Sequence, residues 1–259
     1  MDVQQKRALA RELFHAWESN AAAPLPSQAG QPLTQAEAYE IQGLLAELHQ
    51  QAGRSAAGWK LGLTSAALQE RYGTDQPVYG RLLNGCCYPN GADIPAEAIP
   101  CPKIECELAL VLKADLDVPP ASPEEAMAAV DYAVPALELV GNRYGGYQAG
   151  LVDNIADNAF FGGFVLGDRP APPDKLDLEL LGVRLEQNGR TLGSGIGAAA
   201  MGGPAYGLLW LAKALAGAGT PLRAGEIILS GALLPSVPAQ DGGYFRACFD
   251  GLGDVSVRF

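Results

Sequence analysis

Pro102-Lys-Ile-Glu-Cys-Glu-Leu-Ala-Leu-Val-Leu112 places two acids just ahead of an unbroken apolar stretch, Leu108–Leu112. On a strand, residues two apart share a face, so the Glu105 and Glu107 carboxylates point the same way. The apolar remainder reads as a buried strand, where adjacent like charges are costly unless a cation or another partner neutralises them. For this stretch alone, the solvated face of an edge strand is the simpler account. Glu138 alters that balance, because Val134-Pro-Ala-Leu-Glu-Leu-Val140 is a second apolar strand with a lone acid in it. Three such carboxylates with no histidine nearby make a hard, all-oxygen donor set. That set suits Mg²⁺ or Mn²⁺ with water positions left open, and it is unlike a zinc site. His15 and His49 are the only histidines, and both fall in segments that read as helix.

Working outward, further short apolar or alternating runs occur at Gly58–Leu63, Cys106–Lys113, Ala133–Val140, Phe160–Leu166, Leu181–Gln187, Glu226–Ser230 and Val255–Phe259. Turn signals separate them, among them Pro89-Asn-Gly91, Asn188-Gly189 and Asp250-Gly251. Helices are expected at Pro123–Val130 and at Pro204–Ala216, the second with Leu208, Leu211, Ala212 and Leu215 on one face. The N-terminal part differs in texture. Asp2–Ser19 has a helical apolar stripe, Ala21–Pro32 is a Pro/Gly/Ala-rich linker, and Thr34-Gln-Ala-Glu37 is a capping box opening a second helix. The expectation is an α+β chain with a helical N-terminal cap at 1–55 and a β-rich body at 56–259. Strand–helix alternation is too sparse for a doubly wound nucleotide fold.

Composition narrows the partners. The 259 residues are 48% hydrophobic and 18% charged, as in a globular chain, with 18 Lys+Arg against 29 Asp+Glu and a net charge of -11. With a pI near 4.6, the summed field repels polyanions, which argues against nucleic acid and anionic membrane surfaces as partners. No apolar run approaches the length of a membrane span, and Met1–Asn20 lacks the apolar region of a secretory signal, so a cytoplasmic location is expected. The five cysteines, Cys86, Cys87, Cys101, Cys106 and Cys248, include no C-x-x-C pair. They are expected to be reduced core residues.

Four further stretches bear on chemistry. In Gly58-Trp-Lys-Leu-Gly-Leu-Thr-Ser65 an apolar strand carries Lys60, either with a lowered pKa for proton transfer or snorkelling from a half-buried strand. Asp153-Asn-Ile-Ala-Asp-Asn-Ala159 is either an Asx-turn loop or the lining of a polar pocket. Gly193-Ser-Gly-Ile-Gly197 lacks the Lys-Ser/Thr of a phosphate loop and is discounted as one. Ser230 ends a strand at Ile227-Ile-Leu-Ser-Gly231, where ligand contacts concentrate.

In this order, GWKLGLTS, PKIECELALVL, VPALELVGNRY, DNIADNA, a WLA helix, AGEIILSGAL and GLGDVSVRF resemble the 2-hydroxypenta-2,4-dienoate hydratase and 4-oxalocrotonate decarboxylase family, within the fumarylacetoacetate hydrolase superfamily. The resemblance implies a mixed β-roll or β-sandwich body with Glu105, Glu107 and Glu138 as metal ligands. It implies Lys60 in the substrate pocket as the catalytic residue, with Thr64, Ser65, Asp157 and Ser230 as candidate substrate-binding residues. It further implies a 2-oxo or 2-hydroxy acid substrate, a homo-oligomer, and association between hydratase and decarboxylase chains. Hydratases of the family typically carry Asp where this chain has Val78, and Ser where it has Phe160. The implied activity is hydration of a 2-hydroxy-2,4-dienoate. Decarboxylation of a 4-oxalocrotonate-type diacid is the alternative, and a non-catalytic partner subunit is the third reading.

Overall fold

A computed structural model describes residues 1–239 and 242–259. Two N-terminal helices, α1 (Val3–Ser19) and α2 (Gln35–Gln51), are each closed by a capping box, at Asp2 with Gln5 and at Thr34 with Glu37. The body contains strands β1 (Ala56–Gly62), β2 (Val78–Leu83), β3 (Cys87–Tyr88), β4 (Ala92–Asp93), β5 (Lys103–Leu112), β6 (Val130–Val140) and β7 (Phe161–Leu166). It continues with β8 (Gly182–Gln187), β9 (Arg190–Ile196), β10 (Ile227–Leu229), β11 (Val237–Pro238), β12 (Tyr244–Phe249) and β13 (Gly253–Arg258). Helices α3 (Ala66–Tyr72), α4 (Pro123–Ala128), α5 (Leu151–Ala156) and α6 (Pro204–Gly217) lie between them.

The strands form two sheets. One runs β2-β1-β10-β5-β6-β7-β3, with β11 also on β5, and the other runs β4-β13-β12-β8-β9. Between them lies an apolar layer in which alternating residues of β12 (Phe245, Ala247, Phe249) meet Ile104, Leu137 and Leu139 of the larger sheet. This alternation is that of a sheet with one buried face. Phe245 is fully buried, and its truncation to Ala would cost about 3–5 kcal/mol. The outer side of the larger sheet is covered by α4, through Ala126, and by α6, through Leu208, Leu211 and Leu215, in one cluster with Trp59, Leu110 and Ile228. The architecture is the expected α+β body with a curled mixed sheet.

The N-terminal helices share their core with the body. Leu13, Ile41 and Leu45 pack in one cluster with Leu63, Val78 and Ile155. Gln42 Nε2 donates to the carbonyls of Tyr79 and Ile155, at 3.0 and 2.9 Å. The cap therefore buttresses β2 and α5.

Several elements depart from the sequence expectation. β9 is absent from it, because its side chains are mostly exposed and its run is broken by glycine. Residues Asp153–Ala159 form a short helix and a tight turn. Of the cysteines, Cys86 and Cys106 are buried, whereas Cys87 and Cys101 are exposed, so the expectation of five core thiols is corrected for those two. Cys87 lies on the short outer strand β3 and Cys101 in a left-handed turn ahead of β5, and neither position faces the core.

Candidate metal centre and substrate cavity

Pairing of β5 with β6 places Glu105 directly opposite Glu138. Like charges opposed on one sheet face destabilise it. Glu107 joins them from the same face of β5, and one oxygen from each of the three carboxylates lies within 4.8 Å of the others. Glu107 and Glu138 are 0% exposed. Glu105 is only partly covered and lines a cavity of about 850 Å³.

Few protein groups satisfy these oxygens. Glu107 Oε2 accepts from the Gly231 N–H at 2.7 Å. Glu107 Oε1 and Glu138 Oε2 have no hydrogen-bond partner. Burial and the neighbouring Glu138 and Glu105 charges push the Glu107 carboxyl well above the usual carboxylate range. Burial raises Glu138 as well, and Glu105 adds to this against the pull of Lys60. Orphaned, buried, all-oxygen donors of this kind fit a hard divalent cation such as Mg²⁺ or Mn²⁺. Gly231 is required beside them, since its φ is +97° and a Cβ there would meet Thr64 Cγ2 at 2.4 Å.

Lys60 reaches this cluster from β1. Its Nζ donates to the Ala159 carbonyl at 2.8 Å and pairs with Glu138 Oε1 at 3.0 Å. Burial pushes the ammonium down, but the charges of Glu138, Glu105 and Glu107 outweigh it, so the pKa stands above the ordinary lysine value. The expected lowered pKa is thereby corrected. Lys60 is a protonated cation held among acids.

The Ala159 carbonyl is presented by an unusual backbone. Asn158, Ala159 and Phe160 all have left-handed φ, at 51°, 52° and 59°, a conformation costly for residues with a Cβ. Buried contacts hold the turn on both sides. Asn158 Oδ1 accepts from Arg81 N at 2.7 Å and its Nδ2 donates to Arg81 O at 2.9 Å. Arg143 donates through Nε to Asp157 Oδ1 at 2.6 Å and through Nη1 to the Phe161 carbonyl at 2.6 Å.

The remaining expected residues divide. Thr64 and Ser65 line the cavity with Lys60 and Glu105, and Ser65 also caps α3. Asp157 is not in the cavity wall: it is buried against Arg143. Ser230 is also outside it, its hydroxyl accepting from Leu108 N at 3.3 Å on the neighbouring strand. Arg71, Lys103 and Tyr147 line the cavity without having been singled out in the sequence, whereas Asn154 lines it from the Asp153–Ala159 stretch, one of whose two readings was a polar-pocket lining. Asn154 is 5% exposed with an unpartnered Oδ1. Ser194 and Ile196 of the glycine-rich stretch line it too, and a Cβ at Gly195 would lie 1.9 Å from the Leu233 carbonyl. That glycine permits the close approach of the Leu233 backbone.

This fold and site define a metal-centre candidate in a curled β-sheet. Residues 73–259 match the fumarylacetoacetate (FAA) hydrolase C-terminal family, and the chain belongs to that family. It is 38% identical over 259 residues to the 2-keto-4-pentenoate hydratase of Paraburkholderia xenovorans strain LB400, covering 100% of this chain and 96% of that one. It is 37% identical over 233 residues to the 2-oxo-hept-4-ene-1,7-dioate hydratase of Escherichia coli, covering 88% and 87%. Among solved structures, 4-oxalocrotonate decarboxylase from Pseudomonas putida G7, complexed with magnesium and adipate, matches with a TM-score of 0.97. That match is at 32% identity and covers 100% and 98% of the two chains. No helix among the described residues is long and apolar enough to cross a membrane.

Proposed function

We propose that this chain is a divalent-metal-dependent lyase that hydrates a 2-hydroxy-2,4-dienoate to a 4-hydroxy-2-oxo acid, as in aromatic meta-cleavage catabolism. One observation carries the reading: three carboxylates with orphaned oxygens converge beside a buried lysine at the wall of one cavity. The hydratase relatives agree with it over the length of the chain. Glu105, Glu107 and Glu138 would hold Mg²⁺ or Mn²⁺, and when bound the ion supplies Lewis-acid stabilisation to an enolate.

The chain's own groups account for the rest. Lys60 is protonated and uses two of its donor directions on Glu138 and Ala159. A third remains for the C1 carboxylate of the substrate or for proton delivery. Ketonisation places a proton on C5 of the dienol and gives the 2-oxo-3-enoate. Water then adds its oxygen to C4 and a proton goes to C3. Thr64 and Ser65 supply hydroxyls on the same wall.

Decarboxylation of a 4-oxalocrotonate-type diacid is the second reading, and a specific observation favours it. Val78 is buried and apolar, and Phe160 sets its ring at the cavity, so neither position offers a polar group to activate water. Incubation with Mg²⁺ separates the two. Loss of 2-hydroxypenta-2,4-dienoate absorbance without CO₂ supports hydration. CO₂ from 2-oxohex-3-enedioate, with no turnover of the dienoate, replaces it by decarboxylation. Absence of Mg²⁺ and Mn²⁺ binding by calorimetry would leave the non-catalytic partner subunit. A cytoplasmic homo-oligomer, associating with a decarboxylase partner chain, completes the proposal and is tested by sedimentation.

A further inference from the structure

We infer that the phenol of Tyr72 is the polar contact for the water that adds at C4, and that it then holds the C4 hydroxyl of the product. The inference rests on the hydratase reading of the metal-centred site and names the group that handles the water there.

One wall of the cavity is a face of α3. Ala67, Leu68, Arg71 and Tyr72 line it, a spacing that puts all four on one side of a helix. Ala67 and Leu68 are apolar and Arg71 is charged and exposed, which leaves Tyr72 as the uncharged polar side chain of that face. Helical Cα–Cβ bonds tilt toward the N-terminus, so the half-buried Tyr72 ring leans back along α3 toward the Ser65 end. It packs against the cluster that contains Leu63, Val78 and Ala159. That cluster adjoins Lys60. The Ala159 carbonyl accepts from Lys60 Nζ, and a Cβ at Gly62 would lie 3.0 Å from Val78 Cγ2 and 3.6 Å from Lys60 Nζ.

The phenol is uncommitted. Among the described residues no hydrogen bond ends on it. The cavity's other phenol, Tyr147, donates to the Cys101 carbonyl at 2.8 Å. Burial raises the Tyr72 pKa, Arg71 and Lys60 pull it down and Glu105 pushes it up, and the balance lies above the ordinary value. Tyr72 is thus un-ionised and stands within the field of the site's own charges.

Water addition needs such a group. Val78 and Phe160 are apolar, and a protonated Lys60 has no lone pair to accept from water. A phenol oxygen offers both an acceptor and a donor. It accepts from the water as the water oxygen bonds to C4 and the C3–C4 π pair moves toward C2 to form the enolate. The water sheds one proton and C3 takes one, so H and OH add across C3–C4 and the phenol ends unchanged. The same contact then falls on the C4 hydroxyl.

The test uses the full chain with Mg²⁺ and the variant Tyr72→Phe, which keeps the packed ring and should leave Tm unchanged. Calorimetry compares 4-hydroxy-2-oxopentanoate with 2-oxopentanoate, which differ only in the C4 hydroxyl. The native chain should bind the hydroxy acid about fivefold more tightly, as for one neutral hydrogen bond. Tyr72→Phe should erase that preference and leave the affinities for 2-oxopentanoate and Mg²⁺ as they were. With 2-hydroxypenta-2,4-dienoate in D₂O, hydration should fall at least tenfold in kcat with KM little changed. Deuterium should still enter C5, because ketonisation precedes water addition. Equal binding of the two acids by the native chain overturns the contact. So does a Tyr72→Phe preference equal to the native one, or a loss of hydration and deuterium entry in the same proportion. A hydroxy-acid preference that depends on Tyr72, without turnover of the dienoate by the native chain, upholds the contact and rejects the proposed activity instead.

Discussion

Lys60 Nζ stands 3.0 Å from Glu138 Oε1, an ion pair between two side chains buried on strands that are not neighbours in the sheet. Two strands, β10 and β5, lie between their origins along the order β1-β10-β5-β6, and the curl of the sheet with the length of the lysine closes that distance. The ammonium is thus placed on a carboxylate that a metal ion would also use.

Competition follows from that contact. Replacing Lys60 with Met removes a positive charge beside the three-carboxylate cluster, so Mg²⁺ should bind several-fold more tightly while turnover falls by two orders of magnitude or more, a general acid–base loss of roughly 10²–10⁴-fold. Without metal, the same variant leaves Glu138 buried without a counter-charge, at a cost on the order of 3 kcal/mol. Calorimetry, kinetics and thermal unfolding read the three effects separately. Weaker Mg²⁺ binding by Lys60→Met would show that the lysine supports the metal centre rather than competing with it.

Glu107 predicts an opposite stability effect. Its carboxyl is pushed well up by burial and by Glu138 and Glu105, so Glu107→Gln relieves repulsion in the metal-free protein and its Tm should rise. The gain from saturating Mg²⁺, about 2.7 kcal/mol at a hundredfold excess over Kd, should vanish in the variant. The sign with pH is set by the raised carboxyls. The folded state binds more protons than the unfolded chain above the ordinary glutamate pKa of 4.5. Metal-free stability therefore falls as pH rises past that value. Mg²⁺ binding behaves inversely, weakening as pH drops because protons compete for the same oxygens. Titrations in buffers of different ionisation enthalpy would report the released protons.

The Arg143–Asp157 pair supports the left-handed turn that presents the Ala159 carbonyl to Lys60. Burial pushes the Asp157 carboxyl up, to about 6, against the pull of Arg143. Asp157→Asn should cost about 3 kcal/mol, since it leaves a buried guanidinium without its counter-charge. Because Asp157 is outside the cavity, the residual folded enzyme should keep its KM for substrate within a few-fold. A large rise in KM with unchanged Tm would return Asp157 to the substrate-binding set.

His49 gives an acid-side prediction for the cap. It is 1% exposed between Phe14 and Trp17, and its Nδ1 accepts from Arg54 Nε at 3.1 Å. Burial, then Arg54 and Arg143, lower its pKa from 6.5 to about 3. A base with a depressed folded pKa is neutral when folded and charged when unfolded between those values. Its contribution is complete above pH 6.5 and is lost as pH falls toward 3, at up to about 1.4 kcal/mol per pH unit. His49→Leu should flatten the stability curve in that window, as followed by urea unfolding at stepped pH.

The sequence by itself determined the candidate ligands and the architecture around them. Period-two spacing put Glu105 and Glu107 on one face, the lone acid in an apolar strand marked Glu138, and the capping boxes at Asp2 and Thr34 belong to local chain chemistry that does not need the rest of the fold. Burial also explains why Lys60 stood out, since a charge within an apolar strand is costly wherever the strand packs. The sign of its pKa shift was beyond reach, because it depends on which charges the sheet brings within a few ångströms. Tertiary structure alone decided that Asp157 pairs with Arg143 and Ser230 with the backbone of β5, that Arg143 braces the turn at 158–160, and that Arg71 and Lys103 line one cavity. Those residues come from a helix end, a strand start and loops that are distant in the chain. Their meeting is set by sheet order and curl, long-range properties on which spacing along the sequence carries no information.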